Sequence, residues 1–264
     1  MPRAMWSGAI SFGLVNVPIK MFTAARSQDV RFNQLHETDM SRIRLKKFCA
    51  AEDVEVEGDE IVRGYAVGGD QYVIVSDEEM DALAPRVTNG IEIEEFVNLS
   101  DIDPVYFENS YYLVPEKNGA KAYALLFNAM EQANKIALGR IVMRQKQYLV
   151  AIRPAGRALS MSTLYYPDEV VSQEELDGLP SGEVEASDRE LVMAQQLIEA
   201  LSNEFDPGKY HDEYREELLA LIDRKAEGAE VVELPERPAA AANVTDLMAA
   251  LEASIAAAKQ VKSA

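Results

Sequence analysis

Ile10-Ser11-Phe12-Gly13-Leu14-Val15 and, one residue on, Val17-Pro18-Ile19-Lys20-Met21-Phe22 are short runs of β-branched and aromatic residues broken by glycine, asparagine and proline. Such runs favour extended backbone, because branched and aromatic side chains pack well on a pleated surface. The same signature recurs at residues 72–75, 91–97, 105–114, 136–144 and 148–153, mostly with Gly, Asn, Asp or Pro between. Many short strands with turn signals favour a barrel or sandwich over a doubly wound sheet. Two helices interrupt the pattern. Ser76-Asp77-Glu78-Glu79 is a capping box leading into Met80 and Leu83, and residues 120–133 place Leu125, Leu126 and Met130 on one apolar side. The expected class is therefore α+β and β-rich.

Beyond Pro167 the texture changes to helices with acidic faces. Ser187-Asp188-Arg189-Glu190 is another capping box, followed by Leu191, Ala194, Leu197, Ile198 and Leu201 at helical spacing, and Asp206-Pro207-Gly208 stops that run. A further helix is expected from about residue 212 to 226, burying Tyr214, Leu218, Leu221 and Ile222. Residues 235–242 read as a linker. Asn243 then opens a last amphipathic helix carrying Val244, Leu247, Met248, Leu251 and Ile255, with no adjacent core. The expected organisation is a core over 1–186, a helical arm over 187–234, and a linker with a terminal helix over 235–264.

The chain has 264 residues, 48% of them hydrophobic, enough to bury a core. Residues 1–11 hold no apolar run of signal-peptide length, and no stretch approaches about 18 consecutive apolar residues, so a cytoplasmic protein with no membrane partner is expected. A single cysteine, Cys49, excludes an internal disulfide, and one Cys with two His makes a four-ligand zinc site hard to assemble. The formal net charge of −19 argues at first against a polyanion. Its distribution reverses that. Residues 1–48 carry eight Lys/Arg against three Asp/Glu, and residues 111–167 carry eight against two, whereas 49–110 and 168–236 hold 17 and 21 acids. A local basic surface is felt within a Debye length of about 8 Å whatever the sign of distant faces.

Ser41-Arg42-Ile43-Arg44-Leu45-Lys46-Lys47-Phe48 is the sharpest local signal: if extended, Arg42, Arg44 and Lys46 share one face and Ile43 and Leu45 the other. In Arg140-Ile141-Val142-Met143-Arg144-Gln145-Lys146 the cations Arg140, Arg144 and Lys146 share parity, with Lys135 just upstream. Several cations at backbone-like spacing suit phosphate recognition without base readout; the alternative is a solvated strand face. Enzyme chemistry finds little support. His36 and His211 have no motif partners, and no G-x-S-x-G, P-loop or H-E-x-x-H is present. Acid pairs such as Asp101 with Asp103, or Glu92 with Glu94 and Glu95, read as solvated faces rather than a nuclease's metal ligands. Cys49 follows the basic run, where cations could lower its pKa. Trp6 and the tyrosines are expected in the core rather than stacking on bases. No catalytic residue, cofactor or metal is expected. The competing readings are an acidic β-rich scaffold that meets proteins alone, and a carboxylate nuclease.

Trp6-Ser7-Gly8-Ala9-Ile10-Ser11-Phe12-Gly13-Leu14-Val15-Asn16-Val17-Pro18, Arg42-Ile43-Arg44, Ile91-Glu92-Ile93-Glu94-Glu95-Phe96, Lys121-Ala122-Tyr123-Ala124-Leu125-Leu126 and the stretch from Val142-Met143-Arg144 to Arg153-Pro154 together resemble the bacterial Ku family of end-joining proteins. The resemblance runs over nearly the whole chain. It implies a β-barrel core whose two copies form a ring around duplex DNA, bound without sequence preference, and a C-terminal arm that recruits the multidomain end-joining DNA ligase. It implies that an arch of about residues 41–75 crosses the DNA, with Arg42, Arg44, Lys46 and Lys47 on phosphates; from the second basic stretch, Lys135, Arg140, Arg144 and Lys146 are expected as further contacts. Leu247, Met248, Leu251 and Ile255 become the ligase-docking face. Relatives often carry a cysteine pair after the basic run and a Lys-rich tail; this chain keeps Cys49 alone and ends Ala-rich with Lys259 and Lys262.

Overall fold

Alternation along β2 (Val15–Thr23) sends Val17, Ile19 and Met21 to one side, where all three are fully buried, while Lys20 points out. In the computed structural model, which describes residues 3–83, 90–143, 145–180 and 187–228, that buried side is the interior of a closed barrel. Its order is β1 (Trp6–Phe12), β2, β6 (Phe107–Pro115), β9 (Ala158–Leu164), β8 (Lys146–Ala155), β7 (Ile136–Met143) and β5 (Gly90–Val97). A parallel pairing of Ile10 with Ile91 closes the ring, and the other seams are antiparallel. Closure removes the unpaired edges that would otherwise template aggregation. A separate two-stranded sheet, β3 (Arg63–Gly68) with β4 (Gln71–Val75), shares no ladder with the barrel.

Two backbone approaches demand glycine. A Cβ on Gly139 would stand 2.3 Å from the Glu92 carbonyl oxygen, beside the bulge between Ile93 and Glu95. One on Gly119 would stand 2.7 Å from the Pro18 carbonyl, where α2 (Ala120–Ala133) meets β2. Pro18 is tolerated because the β2–β6 ladder begins only at Ile19. The expected continuous run from Ile10 to Val15 is corrected here: Gly13, at φ +56°, reverses the chain, and Leu14 sits on the exposed tip between two strands.

Helix α2 closes one end of the barrel with Tyr123, Leu126 and Met130. Leu125, expected on the apolar side, is instead 67% exposed, because the helix turns its Tyr123 edge inward. The Tyr123 hydroxyl donates to the Leu113 carbonyl at 2.7 Å and accepts the Leu159 N–H at 2.6 Å, joining the paired residues of β6 and β9. Both groups would otherwise be left without this buried partner, at a cost of about 1–3 kcal/mol together. A second cluster of Ile136, Ala151 and Leu164 lies under Ile102, Tyr106 and Phe107, which explains why both faces of β9 are buried.

The chain divides into two compact units, Met1–Gln28 with Phe32–Glu175, and Asp29–Arg31 with Leu176–Ala264. In the second, α3 (Asp188–Leu201) starts on the Ser187–Glu190 capping box and α4 (Glu213–Ala226) on Asp212, whose carboxylate accepts the Arg215 N–H. Between the helices Phe205 stacks on Tyr210 at 5.9 Å. No residue of α4 is buried: Tyr214 is exposed and Leu218, Leu221 and Ile222 are half-buried, which corrects their expected burial. The described part of this unit has no core of its own. The helix expected from Asn243 lies outside the described residues.

Candidate nucleic-acid interface

The chain leaves β2 at Thr23 and rejoins the barrel at Gly90. This excursion begins 17 residues before the expected arch, since residues 24–40 hold no strand pattern to reveal it. Its first part is ordered by two copies of one turn. His36 N–H donates to Ser41 O at 2.8 Å, Met40 N–H to His36 O at 2.8 Å and Ile43 N–H to Gln34 O at 3.1 Å. Thirteen residues on, Cys49 donates to Val54 (2.9 Å), Asp53 to Cys49 (2.9 Å) and Val56 to Lys47 (3.0 Å). Single bridges, Leu35 to Arg42 and Phe48 to Glu55, sit at matching positions, and Met40 and Asp53 both adopt left-handed φ of +56° and +53°. The Asp39 carboxyl is held below its ordinary pKa, first by the Ser41 N–H and also by His36, whose Nδ1 stands 3.1 Å away.

The basic run 41–48 links these turns. It is not the regular strand that its alternation predicts, because no neighbouring strand offers it a ladder beyond the two bridges. Nor does its apolar side reach a core: Ile43 is exposed and Leu45 is 91% exposed. Arg42, Arg44 and Lys47 are exposed and make no ion pair among the described residues, whereas Lys46 Nζ lies 2.6 Å from Glu55 Oε2. Cys49, expected to respond to those cations, has its thiol pulled below the ordinary range by the N–H groups of Ala51 and Glu52 instead.

The second cluster does not assemble as its parity predicts. β7 ends at Met143 and the chain turns back through Gln145, at φ +67°, so Met143 pairs with Lys146 across a hairpin. Arg140 therefore projects from the outer face, pairing with Glu94 at 3.3 Å. Lys146 shares parity with the inward-facing Val150 and Ile152, stands 5.3 Å over the Tyr148 ring and pairs with Glu169 at 3.3 Å. The bond to Glu169 lifts the Lys146 pKa, and the Tyr166 N–H, followed by Lys146, lowers that of Glu169. Lys135 donates to Asn98 Oδ1 at 2.7 Å. Arg144, Leu247, Met248, Leu251 and Ile255 lie outside the described residues.

Alternation rules did not reveal Arg26, exposed near the start of the excursion, or the exposed aromatics Tyr65 and Tyr72 on β3–β4. No sequence signal sets them apart, since residues 24–83 bury nothing that would impose a periodic pattern. Among the described residues no three His, Cys, Asp or Glu are grouped to hold a metal ion, and no helix is long and apolar enough to cross a membrane. Asp101 and Asp103 cap short 3₁₀ turns.

A closed barrel whose excursion after the second strand carries a basic run and, over residues 24–83, buries nothing defines the class of the protein. Residues 11–193 match the model of the Ku70/Ku80 beta-barrel domain. The chain is 48% identical over 261 residues to the non-homologous end joining protein Ku of Anaeromyxobacter sp. (strain K), covering 98% of this chain and 87% of that protein. It is 45% identical over 260 residues to the protein of that name from Heliobacterium modesticaldum, covering 98% and 92%, and 38% identical over 254 residues to that of Bacillus subtilis, covering 96% and 81%. The chain belongs to the bacterial Ku family.

Proposed function

We propose that the chain binds ends of double-stranded DNA during non-homologous end joining, as a homodimeric ring without catalytic activity of its own. The relatives' name, non-homologous end joining protein Ku, supplies the repair process. The observation that carries the binding mode is the contrast in cation pairing between the two expected clusters: Lys135, Arg140 and Lys146 each have a protein partner, while Arg42, Arg44 and Lys47 stand exposed and make no ion pair among the described residues. Unpaired cations release counterions when they meet phosphate; paired ones must first give up a carboxylate. The excursion is the primary contact in this reading, and Lys46, Lys135, Arg140, Arg144 and Lys146 are secondary.

A second copy is part of the proposal. The β3–β4 hairpin exposes Tyr65 (72%), Val67, Tyr72, Val73 and Ile74 on its two faces, and an isolated two-stranded hairpin is marginal in water. Another excursion of the same kind would cover it. Residues 187–234 serve as an arm and 235–264 as a linker with a terminal helix, where Leu247, Met248, Leu251 and Ile255 dock the multidomain end-joining ligase. The protein works in the cytoplasm, on the nucleoid.

An acidic exterior around a cationic passage requires threading from an end. The test compares linear with covalently closed circular duplex of one sequence across a salt series. Linear DNA should bind with affinity falling roughly a thousandfold between about 50 and 200 mM salt, if about six phosphates are neutralised per dimer, and the circle should bind poorly. Equal binding of both forms would refute threading. Absence of any gel shift would favour an acidic protein-interaction scaffold.

A further inference from the structure

The excursion returns to the barrel through the short helix α1 (Asp77–Leu83), and this helix holds something different on each end of one face. Asp77 and Asp81 are four residues apart, so their carboxylates lie one turn apart on the same side. Asp77 Oδ1 is 3.0 Å from Arg63 Nη1, at the foot of β3, and the same guanidinium nitrogen donates to Met80 Sδ at 3.1 Å. Asp81 Oδ1 accepts from Gln145 Nε2 at 2.7 Å, in the hairpin turn between β7 and β8. The Ser76–Glu79 capping box fixes the start of the helix, with the Ser76 N–H on Glu79 at 2.9 Å and the Glu79 N–H on Ser76 at 3.2 Å. A continuous polar path thus runs from the β3–β4 hairpin through α1 to the barrel wall.

Gln145 reaches Asp81 from a left-handed backbone conformation, φ +67°, which an ordinary side chain adopts at some cost. The tight turn aims its amide away from the barrel and toward the helix. The acceptor is a charged oxygen, which makes this bond stronger than a neutral pair. Because residues 24–83 bury nothing and β3–β4 shares no ladder with the barrel, apolar packing does not fix the excursion's direction.

We infer that α1 is a strut that sets the orientation of the excursion on the barrel, with Asp81 and Gln145 as positioning residues for the DNA-contacting arginines. The inference rests on the DNA-binding reading for its functional consequence. It has an unusual sign. Removing the Asp81 charge should, by Coulomb attraction alone, strengthen binding to a polyanion; losing the strut should weaken it.

The experiment uses the full chain with Asp81→Ala, Gln145→Glu, and the exchanged pair Asp81→Asn with Gln145→Glu, which keeps a donor facing a carboxylate and leaves net charge unchanged. Asp81→Ala should lower affinity for linear duplex about three- to tenfold. Gln145→Glu alone, with two carboxylates face to face, should do at least as much, and the exchanged pair should return to within about twofold of the parent. Amide exchange in the free protein should quicken over 63–75 in the single variants, stay unchanged in β7 and β8, and recover in the exchanged pair. Affinity of Asp81→Ala equal to or above the parent's, or an exchanged pair no better than Gln145→Glu, would overturn the positioning role. If the parent itself fails to bind linear DNA, the DNA-binding reading falls, while the exchange measurement still decides whether α1 is a strut.

Discussion

The barrel and the excursion between β2 and β5 are built by different forces. In the barrel Ile10, Ile19, Met21, Leu113, Ile152 and Met161 are fully buried, each worth about 1.5–3 kcal/mol, and Lys135, Arg140 and Lys146 have partners. Over residues 24–83 nothing is buried; the backbone is shaped by a duplicated turn, a two-stranded hairpin and a polar strut, and Arg42, Arg44 and Lys47 make no ion pair among the described residues. A segment ordered by hydrogen bonds alone is free to carry exposed charge and exposed aromatics, which a packed segment is not. Stability and binding are therefore separable, and the separation can be attacked from either side.

The largest effect is expected from changing Arg42, Arg44 and Lys47 together to Glu. Affinity for linear duplex should fall by about a thousandfold or more, with the salt dependence largely gone, while the melting temperature moves by less than about 4 °C. A large drop in melting temperature would mean that the excursion contributes to the fold after all. The converse comparison sets Leu113→Ala or Ile152→Ala against Leu45→Ala in chemical denaturation. The barrel changes should cost about 2–5 kcal/mol and Leu45→Ala less than about 0.5 kcal/mol, since one leaves a cavity and the other removes an already solvated side chain. Equal costs would erase the distinction between the regions in the free protein.

A smaller effect, inside the barrel, belongs to Tyr123. Tyr123→Phe leaves the Leu159 N–H and the Leu113 carbonyl without their buried partner and should cost about 1–3 kcal/mol. Burial pushes the Tyr123 hydroxyl above its ordinary pKa, with the Leu159 N–H pulling weakly the other way. The folded state thus favours the neutral phenol, whereas the unfolded chain ionises it near pH 10. Its contribution is complete below about pH 10 and is lost as pH climbs from there through the raised folded value. Denaturation midpoints measured from pH 8 upward should bend less steeply above about pH 10 in Tyr123→Phe than in the parent.

How far the sequence reveals the molecule follows the same divide. Strands β1, β2 and β4 to β8 are legible because runs of β-branched and aromatic residues mark them, buried or not. Strand β9 is not, because Ser160, Ser162 and Thr163 are buried on a strand covered from both sides, Ser162 bonding Ser110 and Thr163 accepting the Asn109 N–H. Strand β3 is not, because Arg63-Gly64-Tyr65-Ala66-Val67-Gly68 is wholly exposed and holds no such run. The basic run at 41–48 is legible as chemistry but not as geometry. Its shape comes from main-chain hydrogen bonds between residues of any type, and which cations are free depends on carboxylates far along the chain, such as Glu169 for Lys146 and Glu94 for Arg140. The hairpin turn at Gln145 escaped for a related reason: a left-handed glutamine carries no glycine to announce it.

The finest distinction is between neighbours. Lys46 and Lys47 are both exposed lysines in one basic run, yet only Lys46 is tied, by Glu55 from the second turn at 2.6 Å. If pairing decides which cations serve DNA, Glu55→Gln should release Lys46, raise affinity for linear duplex about two- to fivefold and steepen the salt dependence by roughly 0.9 per freed cation. Stability should change by no more than about 1 kcal/mol, as for other exposed pairs. Lys46→Gln in the parent should weaken binding less than Lys47→Gln, and the two should become equal once Glu55 is gone. Lower affinity in Glu55→Gln would show that this ion pair holds the two turns in their binding shape, so that Lys46 serves the backbone rather than the phosphates.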